Sequence, residues 1–67
     1  MDKYVCEILA RKDNNGRIVH WGGTLYTEVC IVQANSETFA EQTARSQYAR
    51  EHNVSTTSIA VGKVKKM

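Results

Sequence analysis

The chain has 67 residues and 42% apolar content, which makes it one small domain over residues 1–67, with little room for an enclosed substrate pocket. Nine Lys and Arg against seven Asp and Glu leave a net charge of +2, too weak to point to nucleic acid by itself. No apolar run approaches the roughly 18 residues of a membrane span. The N-terminal stretch MDKYVCEILARKD carries charges within its apolar part and no small-residue cleavage site, so a cytoplasmic setting with no membrane partner is expected.

Tyr4 to Arg11 reads as a strand. Tyr4, Cys6, Ile8 and Ala10 share the more apolar face and should meet the core, while Val5, Glu7, Leu9 and Arg11 share the other. Asn15-Gly16 signals a hairpin with a type I′ turn, since both central positions of that turn need φ > 0. Arg17 to Trp21 begins the return strand and meets Gly22-Gly23, where a bend is expected. Thr24 to Ala34 resumes as strand; the stretch is either one long bent strand or two strands joined at the glycines, the first being favoured, with the apolar Val29–Val32 run central in the sheet.

Asn35 and Ser36 are both preferred helix caps, and Thr38-x-x-Glu41 also fits a capping box. Glu37 and Glu41 suit the positive end of the helix dipole. Ala40, Ala44 and Tyr48 form one stripe, flanked by Phe39, Thr43 and Gln47, and the helix should end near His52-Asn53. Small residues on the packing face let the helix backbone sit close to a sheet. Ile59 to Val64 alternates as a final strand with a basic end at Lys63, Lys65 and Lys66. The order β-β-α-β predicts an α+β fold: a three-stranded, mainly antiparallel sheet with one helix packed on one face. The uncovered face should carry some of Val5, Leu9, Val29 and Ile31, and exposed apolar patches of this kind tend to be interaction surfaces.

The segment VQANSETFAEQTA resembles a pattern found in many small phage, plasmid and prophage proteins. There a strand ends in a Val-x-Ala-x-Ser step and enters a helix with an alanine four residues after the serine. Val32, Ala34, Ser36 and Ala40 occupy those places here. The group includes small type I anti-CRISPR proteins that place a helix on a curved antiparallel sheet. The resemblance implies a mobile-element accessory protein acting in a host cytoplasm. It assigns no binding residues, because the shared positions are structural. Asn15-Gly16, Gly22-Gly23 and Trp21 depart from the pattern.

Catalysis by a nucleophile would need Cys6 or Cys30 with His20 or His52, and nothing in the spacing brings these together. No Cys-x-x-Cys or His-x-x-x-His spacing exists, so both cysteines read as small core hydrophobes, with no metal and no cofactor. A disulfide would require their two strands to lie side by side. Glu7 and Glu28 would form a carboxylate pair only if they faced one another across strands; each reads better as a solvated strand residue. No enzymatic activity is expected.

Two binding classes remain. In the first, the chain docks on a host protein or nucleoprotein machine and blocks it by occupying a surface, with Arg17, His20, Trp21 and Tyr26 as partner-binding candidates. Tyr4 serves equally well as core. In the second, it is a small nucleic-acid-binding accessory protein. Arg11, Lys12, Lys63, Lys65 and Lys66 would then meet phosphates, and the aromatics would offer stacking surfaces. Exposed aromatics on the sheet would favour nucleic acid; an apolar face rimmed by charge would favour protein docking. A homodimer through an edge strand or the open face is compatible with either class.

Overall fold

The computed structural model describes every residue, Met1–Met67. Strand β1 (Asp2–Lys12) alternates as its sequence dictates: Tyr4, Cys6, Ile8 and Ala10 are buried, and Val5, Glu7 and Leu9 are half-buried on the reverse. A four-residue turn, Asp13 to Gly16, closed by a hydrogen bond from the Gly16 N–H to the Asp13 carbonyl (3.1 Å), follows. Asn15 does not enter positive φ; only Gly16 does, at 79°. The turn is therefore not the expected type I′ at Asn15-Gly16 but a longer loop with glycine alone in the left-handed region. The Asp13 carboxylate favours it, accepting from the N–H groups of Asn15 (2.9 Å) and Arg17 (3.0 Å).

Strand β2 (Ile18–Val19) pairs with β1 through Lys12↔Ile18 and Arg11↔Val19. Strand β3 (Thr24–Ala34) pairs with the opposite edge of β1, from Lys12↔Thr24 to Asp2↔Ala34. The expected single bent strand is thus two strands on opposite edges of β1, and the sheet has four strands rather than three. Gly22 and Gly23, at φ 80° and 61°, make the crossing over the end of β1. A Cβ on Gly23 would collide with the Lys12 carbonyl oxygen, so only glycine permits so close a passage. It follows that Val29–Val32 lies on an edge strand and β1 is central.

Helix α1 (Glu37–Glu51) starts at Ser36, whose hydroxyl accepts from the Phe39 N–H (3.3 Å). Ser36 wins over the Thr38 box, and Glu41 instead pairs with Arg45 (2.9 Å). The helix ends in a Schellman arrangement. Asn53 sits at φ 55°, its N–H bonds to the Arg50 carbonyl, and the Val54 N–H bonds to the Ala49 carbonyl. After a 3₁₀ turn at Thr56–Ser58, strand β4 (Ile59–Lys66) returns along the edge of β1 that β2 also uses.

A bulge between Cys6 and Ile8 changes the phase of β4, so Ile59, Val61 and Val64 all point to the helix side. The core lies between helix and sheet. It consists of Tyr4, Cys6, Ile8, Ala10, Val32, Ala34 and Ile59 beneath Ala40, Ala44, Tyr48 and Ala49. The alanines at the contact keep α1 close to the strands.

Candidate docking face

The face of the sheet away from α1 has no covering element. Cross-strand pairing sets its membership, because residues directly opposite in an antiparallel ladder share a face. Val5 opposes Ile31, Glu7 opposes Val29, Leu9 opposes Thr27, and Arg11 opposes Leu25. On the other side of β1, Leu9 opposes Ala60 and Val5 opposes Lys65. The result is an aliphatic strip of Val5, Leu9, Leu25, Val29 and Ile31. Leu25, Val29 and Ile31 are 52%, 67% and 56% exposed, an unusual arrangement for three neighbours on one strand.

Charge rims this strip unevenly. Lys3 and Lys65 stand at one end and Arg11 at the other, as the register requires. The single acid, Glu7, is held by the fold: its carboxylate lies over Gly62 in the bulge and accepts from the Lys63 N–H at 3.5 Å. No aromatic side chain belongs to the strip. Where β2 gives way to β4 along β1, between Arg11 and Ala10, a shallow groove of about 220 Å³ opens, lined by Leu9, Arg11, His20 and Leu25 and by Thr57 to Ala60. A larger depression of about 470 Å³ lies along the outer side of α1, but one helix shapes it, and Phe39 is its sole apolar residue.

The four partner-binding candidates cluster at the hairpin end without sharing a face. Arg17 and His20 are exposed, and Trp21 is 80% exposed on the turn before β3. His20 reaches the groove on the open face. Tyr26 opposes Ala10 and so lies on the helix side, with the Lys12 ammonium 5.3 Å from its ring centre. The basic candidates also divide. Arg11 lies on the open face and donates to the Gly22 carbonyl (3.4 Å), while Lys12 pairs with Glu28 (3.4 Å) on the helix side. Lys66 opposes Tyr4 on the helix side and pairs with Asp2 (3.3 Å). Arg11 and Lys65 are six strand positions apart along β1, about 20 Å at the usual rise.

Leu25 is the member of the strip that the sequence reading did not single out. Its signal was there: positions 25, 27, 29 and 31 have one phase.

Other titratable groups serve the core. Cys6 and Cys30 are direct cross-strand neighbours, and both are free thiols. Burial pushes both thiols up, away from the thiolate. Glu7 and Glu28 fall on opposite faces and form no pair. Glu28 is held below the usual carboxylate range, first by the Tyr48 hydroxyl and then by the Lys12 ammonium. That hydroxyl lies near Glu28 but makes no hydrogen bond of good geometry, and burial pushes its own pKa up. His52 stacks on Tyr48 at 4.2 Å, away from His20. No three His, Cys, Asp or Glu side chains converge as a metal site would require, and no helix is long and apolar enough to cross a membrane. No protein family matches the chain, and no curated protein or solved structure shows significant similarity to it.

Proposed function

We propose that the chain is a non-enzymatic docking protein. It sets its aliphatic sheet face against an apolar, acid-rimmed patch on a host protein or nucleoprotein machine and blocks that surface by occupying it. The mode of action would be that of the small mobile-element inhibitors that its strand–helix junction resembles. The observation that carries this reading is the strip Val5, Leu9, Leu25, Val29 and Ile31: aliphatic, uncovered, and cornered by Lys3, Arg11 and Lys65. Three strands spaced about 4.8 Å apart and about 35 Å long present on the order of 500 Å². A standard interface takes about 800 Å² from each partner, so the hairpin end must contribute. There Arg17, His20 and Trp21 stand exposed, and His20 lines the groove.

A photo-crosslinking residue placed at Ile31, and separately at Gln47 on the outer side of α1, tests this in host lysate. Discrete adducts from position 31 that disappear with Val5→Glu, and none from position 47, are the expected result. Equal, diffuse labelling from both positions would sink it.

Trp21 with Arg11, Arg17 and His20 at one end of the molecule favours a second reading, direct nucleic-acid binding. Light scattering with short DNA and RNA at two salt concentrations separates the two, since phosphate-driven association weakens steeply with salt.

A further inference from the structure

The two edges of the sheet are finished differently. The edge shared by β2 and β4 has a two-residue strand, a bulge, and Lys63, Lys65 and Lys66. These are the devices by which sheets discourage strand addition. The β3 edge has none of them. Its 11 residues keep an unbroken register with β1 and include no Pro, Gly, Lys or Arg. Its one charge, Glu28, is engaged with Lys12 on the helix side. Residues Thr24 to Val29 are exposed without a break, and β3 pairs with no strand except β1.

We propose that this edge pairs antiparallel with β3 of a second copy, about a two-fold axis at Val29, joining two sheets into one. The occupant follows from the sequence of the strand itself. With Val29 opposite its own copy, Thr27 faces Ile31, Tyr26 faces Val32, and Glu28 faces Cys30. Every apolar or β-branched pairing is of the kind that stabilises ladders, and no like charges stand opposite each other. The competing self-association, open face against open face, crowds Lys3, Arg11 and Lys65 of one copy against the same cations of the other. Edge pairing leaves the aliphatic strip free and doubles it across the joint, so it does not rest on the docking reading.

Two 11-residue edges bury less than the roughly 1,200 Å² at which standard interfaces begin, which makes the dimer dependent on concentration. Sedimentation from roughly 1 to 500 µM, a range chosen for an interface below standard size, should show the mass doubling. Hydrogen exchange at the upper concentration should slow at alternate amides of Thr24–Ala34, at least tenfold relative to the dilute protein. Val29→Lys and Val29→Glu should each stay monomeric, and their equimolar mixture should dimerise again. Val29 is 67% exposed, so both variants should fold; because position 27 faces position 31 of the other copy, the double variants Thr27→Lys/Ile31→Lys and Thr27→Glu/Ile31→Glu form a second such set on exposed positions. A wild-type protein that is monomeric throughout overturns the proposal. So does a dimer in which β3 amides exchange as fast as in the monomer.

Discussion

Gly23 shows how one residue decides the path of the chain. It holds φ at 61°, and its α-carbon passes the Lys12 carbonyl too closely for any side chain. Gly22 is also at positive φ but has open space around it. The two positions therefore separate backbone strain from collision. Gly22→Ala should cost about 1 kcal/mol, the strain alone. Gly23→Ala should cost about 2–3 kcal/mol, because the crossing must also move away from β1. Urea unfolding of both variants checks the ranking; equal costs would mean that the crossing relaxes freely. Glu28 belongs to the same scale. Its depressed pKa adds stability that is present above the ordinary glutamate value of about 4.3 and is lost as pH falls through the folded value. Its side chain is 46% exposed, so solvent screening keeps that contribution small.

At the scale of elements, the helix is held by its two ends. Ser36 serves the first turn, and Asn53 in the left-handed region directs Val54 back onto the core. Asn53→Ala should cost about 1 kcal/mol because Ala tolerates positive φ poorly, while Asn53→Gly should at least retain stability. Thermal unfolding followed by circular dichroism checks this; an unchanged midpoint for the Ala variant would remove Asn53 from the account. This element was legible in the sequence because caps and stripes are local signals: Ser36, Ala40, Ala44 and Tyr48 lie within one short span. The placement of β2 and β3 was not. Gly22-Gly23 announces a break, but either edge of β1 offers the same hydrogen-bonding groups, and nothing local says which edge Thr24 will join. The bulge was hidden for a related reason, since Gly62 marks a weak point but the phase of Val64 depends on its partner Cys6. The aliphatic strip was legible by alternation at Val5, Leu9, Val29 and Ile31. The face that Tyr26 joins was not legible, because it depends on register with Ala10, a distant pairing.

At the scale of the whole molecule, the two faces of one sheet differ in cover, and substitution can measure the consequence. The core has 11 buried residues, five of them alanines, in a chain of 67 residues. A core this small supplies about 3–5 kcal/mol of net stability at most. Ile8 is 1% exposed beneath the helix, and Ile31 is 56% exposed on the reverse of the neighbouring strand. The two share residue type, strand conformation and the loss of the same atoms on truncation, although β1 is central and β3 an edge. Ile8→Ala removes contacts that nothing refills and should cost about 2–5 kcal/mol, enough to unfold much of the population. Ile31→Ala removes a side chain that already meets water and should cost less than about 1 kcal/mol, mostly through strand propensity. Chemical denaturation of both variants, at concentrations low enough to keep the protein monomeric, reads the contrast. If Ile31→Ala proves as costly as Ile8→Ala, the open face is part of the folding core and its aliphatic character needs no partner. A large difference in cost leaves Ile31 dispensable for folding, which an interaction surface requires.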